Sequence, residues 1–96
     1  MTKSELITEL AQQADLSKKR AEEVVNCVFN TMSDSLVDGS RIEIRGFGSF
    51  SIKDYPSYKG RNPKTGDEVS VHAKRAVHFK VGKELRDRVD NLTSGT

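Results

Sequence analysis

The chain has no tryptophan, one cysteine, two prolines and only six aromatic residues (Phe29, Phe47, Phe50, Phe79, Tyr55 and Tyr58), and each scarcity excludes something. A lone thiol, Cys27, cannot form an internal disulfide framework. His72 and His78 lack ligand-spaced partners, so no metal site is expected. No apolar run approaches the roughly 20 residues of a membrane-spanning helix, and Met1-Thr2-Lys3-Ser4 opens without the apolar segment of a secretory signal. A cytoplasmic protein with no membrane role is the expectation. No nucleophile and base arrangement, paired-carboxylate pattern or phosphate-cradling glycine loop stands out, so neither catalysis, a cofactor nor a small-molecule substrate is expected. Hydrophobic residues make up 34% of the 96, which predicts one unit, 1–96, with a core lean enough to need a second chain.

What is present is charge, unevenly distributed. Residues 1–40 hold four Lys or Arg against seven acids, a balance of −3, whereas residues 41–88 hold twelve against six, a balance of +6. Asp90 returns the total to +2. Clustered positive potential attracts a polyanion in a way that a mixed surface does not.

The periodicity changes along the chain. Thr2 and Glu5 have capping-box spacing, and Leu6, Ile7, Leu10, Ala11 and Ala14 follow one helical stripe, which predicts a first helix of about three turns. Asp15 and Leu16 break it, and Ser17 is placed to cap a second helix. There Ala21, Val24, Val25, Val28, Phe29, Met32 and Leu36 repeat at steps of three and four until Gly39. The link is short enough for a hairpin, but the second stripe is longer than the first helix can cover. It is core or dimer interface, with Cys27 off its centre and expected to be partly covered. From Arg41 the period becomes two: Ile42 and Ile44 alternate with polar residues, Gly46-Phe47-Gly48 interrupts, and Phe50 and Ile52 resume. Residues 54–64 are almost without aliphatic side chains and should project or be disordered. A returning strand is predicted over about 68–80, and Leu85, Val89 and Leu92 mark a helix over 83–92 before a tail that frays. The expected fold is α+β: a two-helix hairpin (1–40, the dimerisation body), a three-stranded antiparallel sheet (41–82) extended by an arm at about 54–74, and a short C-terminal helix.

Lys59-Gly60-Arg61-Asn62-Pro63-Lys64-Thr65-Gly66 sets three cations around one proline between two glycines at the tip of that arm. A proline there has no N–H to satisfy and a rigid apolar ring suited to insertion between base steps, the wedge device of minor-groove proteins that bend DNA. A plain Asn-Pro turn in a loop is the competing account.

Three blocks then carry a resemblance: Arg41-Ile42-Glu43-Ile44-Arg45-Gly46-Phe47-Gly48-Ser49-Phe50, Gly60-Arg61-Asn62-Pro63-Lys64-Thr65-Gly66, and Phe79-Lys80-Val81-Gly82-Lys83-Glu84-Leu85-Arg86-Asp87. In order and spacing the chain resembles the bacterial HU and integration host factor family over about residues 1–90, and Met1 to Leu6 is similar to the start of its beta-type subunits. The resemblance implies an intertwined dimer whose two basic ribbon arms clasp double-stranded DNA in the minor groove and bend it. It implies that Pro63 intercalates, that Arg61, Asn62 and Lys64 are arm-tip contacts, and that Arg45, oriented by Glu43, reaches a minor groove. Lys59, Lys74 and Arg75 join the arm's DNA-binding set, while Lys80, Lys83, Arg86 and Arg88 are placed to receive DNA flanks. Val25, Val28, Phe29, Met32, Phe47, Phe50 and Phe79 are the dimer-core candidates. The partner is an identical chain or an alpha-type, HU-like subunit. Val77 and Val81 stand where relatives often have proline, and each restores a backbone N–H at the arm base and before the last helix.

An arm of about eight residues extends roughly 26 Å, enough to travel around a duplex. Architectural DNA binding and bending with a shape-based sequence preference is therefore the expected function, in support of recombination, replication and transcription at the nucleoid. Sequence-neutral DNA compaction, binding of RNA or cruciforms, and a helical dimerisation module whose basic hairpin binds an acidic protein are the alternatives.

Overall fold

The computed structural model describes residues 1–94. The elements run α1 (Lys3–Gln13), α2 (Lys18–Val37), β1 (Ile42–Ile44), β2 (Gly48–Tyr55), β3 (Tyr58–Arg61), β4 (Glu68–Val71), β5 (Lys74–Val81) and α3 (Lys83–Ser94). Helix α1 starts where Thr2 Oγ1 accepts the Glu5 N–H at 3.1 Å and donates to the Glu5 carboxylate at 3.2 Å. Ser17 opens α2 in the same way by accepting the Arg20 N–H at 3.1 Å. Such caps satisfy amides that have no intrahelical partner. Between the helices Asp15 adopts a left-handed φ of 53°, which turns the chain in a few residues. Ile7, Ala21 and Val25 are buried where α1 meets α2, with Leu6, Leu10, Ala11 and Leu16 packed around them.

Helix α2 ends at Gly39, whose φ is +84°. The Gly39 N–H bonds the Leu36 carbonyl at 2.9 Å and the Ser40 N–H reaches back to the Ser35 carbonyl at 3.0 Å, the paired bonds of a Schellman stop. A four-residue turn then joins β1 to β2. The Phe47 N–H bonds the Ile44 carbonyl at 3.0 Å, and Gly46, at φ +83°, occupies the position where a type II turn requires a left-handed residue.

Strands β1, β2 and β5 form one antiparallel sheet in that order. Phe50 pairs with Phe79 and Ile52 with Val77, while Glu43 faces Ser49, Ser49 faces Lys80, and Ser51 faces His78. Because side chains alternate sides, one face carries Ile42, Ile44, Phe50, Ile52, Val77 and Phe79, and the other carries Glu43, Ser49, Ser51, Lys53, His78 and Lys80. Val77 and Val81 sit inside an unbroken eight-pair ladder between β2 and β5.

The returning strand differs from the expectation of one run over 68–80. It is split at His72 and Ala73, and across from that gap the outgoing strand breaks at Pro56 and Ser57. Pro56 has no N–H to give a ladder, which is reason enough for pairing to stop there. The segment expected to project or be disordered is an ordered two-stranded ribbon, β3 with β4, in which Tyr58 faces Val71 and Arg61 faces Glu68. Helix α3 runs to Ser94, beyond the predicted end at 92, so Thr93 and Ser94 are helical rather than frayed. The remaining tail, Gly95 and Thr96, lies outside the described residues.

Among the described residues only Ile7, Ala21 and Val25 are buried, a small core for a chain of this length. The radius of gyration is 19.6 Å, against roughly 12 to 13 Å for a compact chain of this size. Val28 and Phe29 on α2 are 50% and 43% exposed, and Phe47 and Phe79 are 45% and 39% exposed. No helix among the described residues is long and apolar enough to cross a membrane.

Candidate nucleic-acid interface

The tip of the ribbon is a turn closed from within. The Asn62 N–H bonds the Asp67 carbonyl at 2.8 Å, and the Gly66 N–H bonds the Asn62 carbonyl at 2.7 Å. Asn62 Oδ1 accepts the Lys64 N–H at 2.8 Å, Thr65 Oγ1 accepts the Asp67 N–H at 3.2 Å, and Arg61 Nη1 donates to the Gly66 carbonyl at 3.1 Å. These local side-chain to backbone bonds are the ones that Asn and Thr favour in turns. Pro63 stands exposed inside this frame. It adds no N–H that needs a partner, so the frame presents an apolar ring flanked by the cations Arg61 and Lys64. Asn62, half-buried, uses its side-chain oxygen to hold the turn and has its amide NH₂ left for an outside acceptor.

Along the ribbon, Tyr58, Gly60, Val69 and Val71 share one face, and Lys59, Arg61, Glu68 and Ser70 share the other. A Cβ at Gly60 would stand 3.6 Å from the Tyr58 ring, so the ring covers the strand where it has no side chain. Lys59 Nζ lies 4.0 Å from Glu68 Oε1. At the arm root Lys74 Nζ sits 5.6 Å from the Tyr55 ring centroid, a cation over an aromatic face. Its neighbour Arg75 is on the opposite side of the sheet, paired with Asp54 at 3.3 Å and bonded to the Val37 carbonyl at 3.4 Å. The sequence grouped these two cations together, and the structure engages them differently.

A second basic region lies on the body. Arg41, Glu43, Arg45, Ser49, Lys80 and Lys83 line an open hollow of about 380 Å³ where the polar sheet face meets the start of α3. Four of the sequence-derived residues, Glu43, Arg45, Lys80 and Lys83, are thus brought together, with Lys83 adding its charge at a helix N-terminus. Arg86 follows it on α3. Arg41 and Ser49 were missed, although the two-residue period puts Arg41 in line with Glu43 and the register puts Ser49 opposite it. Glu43 Oε1 is 3.1 Å from Arg41 Nη2, so the carboxylate expected to orient Arg45 is instead paired with Arg41 in the free chain. Among the described residues Arg45 has no ion-pair partner.

The dimer-core candidates divide. Val28, Phe29, Phe47 and Phe79 are exposed, and Met32 and Phe50 are half-buried. Phe79 contacts Phe50 at 4.8 Å and Phe47 at 5.6 Å between ring centroids, an aromatic cluster open on one side. Val25 is 4% exposed and packs within its own chain beneath α1. Cys27, expected to be partly covered, is exposed, because α1 reaches only the part of α2 around Ala21 and Val25. Among the described residues no group of three His, Cys, Asp or Glu is placed to hold a metal ion.

The chain is 56% identical over 91 residues to integration host factor subunit beta of Dechloromonas aromatica, covering 94% of this chain and 97% of that one. It is 55% identical over 91 residues to the corresponding subunit of Photorhabdus laumondii, again covering 94% and 97%. Among solved structures, an Anabaena HU–DNA cocrystal structure superimposes with a TM-score of 0.80 at 34% identity, covering 93% of this chain and 97% of that one. HU from Thermotoga maritima superimposes at 0.64 with 27% identity, covering 93% and 98%. Residues 1–90 match the family described as bacterial DNA-binding protein, and the chain belongs to that family.

Proposed function

We propose that the protein is an architectural subunit that binds duplex DNA through the minor groove as a dimer and bends it, with Pro63 as the wedge. The observation that carries this is the arm tip. The N–H groups of Asn62, Lys64, Gly66 and Asp67 are all bonded inside it, while Pro63 stands exposed between Arg61 and Lys64. A ring so presented can separate stacked base pairs, and the adjacent cations neutralise phosphate as it enters.

The rest of the chain fits this role. Bending 20 to 30 base pairs smoothly costs on the order of 1 to 6 kcal/mol, which contacts made only by the bent duplex must offset. The hollow bearing Arg45, Lys80 and Lys83, with Arg86 and Arg88 beyond it, is suited to receive the returning flanks, and Lys59 and Lys74 follow the arm. Glu43 and Asn62 act through geometry, the first by pairing a neighbouring arginine and the second by holding the tip. The sequence divides into a dimerisation body, 1–40, a sheet with its arm, 41–82, and a terminal helix. The exposed face of Val28 and Phe29 with the open Phe47, Phe50 and Phe79 cluster calls for an intertwined partner, either a second copy or an alpha-type, HU-like subunit. The place of action is the nucleoid in the cytoplasm, where sharp bends serve recombination, replication and transcription.

Replacing Pro63 with Ala tests the wedge. Energy transfer between the labelled ends of a short duplex should fall markedly while the protein's unfolding midpoint stays unchanged. An unaltered bend would remove Pro63 from the mechanism. Competition between a defined site and random duplex separates shape preference from sequence-neutral compaction.

A further inference from the structure

Two adjacent cations at the arm root face opposite ways. Lys74 lies on the polar side of the sheet beside Tyr55, whereas Arg75 falls on the side of Val77 and Phe79 and reaches the helical body. Arg75 Nε meets Asp54 Oδ1 at 3.3 Å from the register position directly across the ladder. Its Nη1 donates to the Val37 carbonyl at 3.4 Å, 38 residues away in the chain. Among the described residues no backbone N–H reaches that carbonyl at the end of α2. The oxygens of Asp34, Ser35 and Leu36 accept from the N–H groups of Asp38, Ser40 and Gly39, which leaves Val37 as the remaining member of the four carbonyls that a helix cannot satisfy within itself.

Charge points the same way. The last turn of α2 contains no basic residue, and Asp34 and Asp38 stand near its negative end. Arg75 brings both the missing donor and a positive charge from the arm strand. It crosses the helix terminus at Gly39, where a Cβ would lie 3.2 Å from the guanidinium. The tie sits one pair before the ladder ends at Tyr55 and Lys74.

We infer that Arg75 is a positioning residue for DNA bending: by joining the arm root to the C-terminus of α2, it sets the direction in which the arm leaves the body and does not itself contact phosphate. The inference rests on the bending function proposed above. Both partners of the Arg75–Asp54 pair are well exposed, so as an ion pair alone it contributes little. Its value is directional, because a planar guanidinium can hold a carboxylate and a carbonyl at once in fixed geometry, which a lysine ammonium does less well.

The test uses Arg75→Met, Arg75→Lys and Asp54→Asn in the full chain as its dimer, read by end-to-end energy transfer in bound duplex, a salt titration and thermal unfolding. Arg75→Met should reduce and broaden the transfer signal and weaken binding about twofold to fivefold. The salt slope should stay as in the parent, and the unfolding midpoint should fall only slightly, as the loss of one exposed helix-end bond requires. Arg75→Lys should recover only part of the bend. Asp54→Asn should shift the bend in the same direction, although deleting an acid near DNA would by charge alone favour binding. A salt slope lower by about one ion per protomer with the bend unchanged would make Arg75 a phosphate contact and overturn the inference. So would an unchanged bend and affinity, or tighter binding by Asp54→Asn with the bend intact. If the parent protein does not bend DNA at all, the proposed function fails instead. The tie is then read in DNA-free protein by amide hydrogen exchange, which Arg75→Met should accelerate at the β2–β5 end of the arm root, and unaltered exchange would overturn it.

Discussion

Two of the glycine turns, one in the body and one at the arm tip, obey one backbone rule and serve opposite ends. Gly46 in the body and Gly66 at the arm tip both adopt left-handed φ values, +83° and +73°. Around the first, space is exhausted. A Cβ at Gly46 would lie 3.0 Å from a Glu84 oxygen, one at Gly48 would lie 2.6 Å from the Lys80 carbonyl and 2.7 Å from the Phe79 ring, and one at Gly82 would lie 3.2 Å from the Phe47 carbonyl. Around Gly66 nothing stands within 4 Å. The body turn is therefore fixed by what surrounds it, and the tip is fixed only by its own bonds. The tip carries no surrounding scaffolding and is held by Asn62, Thr65 and Arg61 from inside, as the proposed entry into a groove would need.

Three substitutions sharpen or break that contrast. Gly48→Ala carries the largest expected effect, about 1 to 3 kcal/mol of destabilisation, because the obstruction includes a backbone carbonyl that cannot rotate away. Urea unfolding would show it, and a variant as stable as the parent would mean that the crowding relaxes freely. Gly66→Ala should strain the tip by about 1 kcal/mol and leave the unfolding midpoint of the body in place. Its signature is weaker DNA binding, and a lowered midpoint would instead show the tip and the body to be one cooperative unit. Thr65→Ala should have the smallest effect, about 0.5 kcal/mol of tip order, seen as faster amide exchange at Asp67 with the bend nearly preserved.

Much of the fold was legible because its determinants are local. Thr2, Ser17 and Gly39 punctuate the helices through neighbours no more than five residues away, and Ile42, Ile44, Phe50 and Ile52 declare a sheet face by parity alone. The tip residues could be named from composition, but the bonds that hold Pro63 outward could not. What escaped depends on distant partners. Parity separates Arg75 from Lys74, yet nothing in the sequence says that a carbonyl 38 positions earlier lies within reach. Glu43 has an arginine two residues away on each side, and nothing in the sequence says that it pairs with Arg41 rather than Arg45. The exposure of Cys27 follows from how little of α2 the shorter α1 can cover.

The interrupted ladder has a mechanical consequence. Pairing stops at Tyr55 with Lys74 and resumes at Tyr58 with Val71, leaving Pro56-Ser57 and His72-Ala73 as the unpaired joint. Under the proposed function, a stiff duplex springing back against the finger would load this joint as torque rather than unzip the sheet rung by rung, and the scaffold below would stay intact while the finger yields.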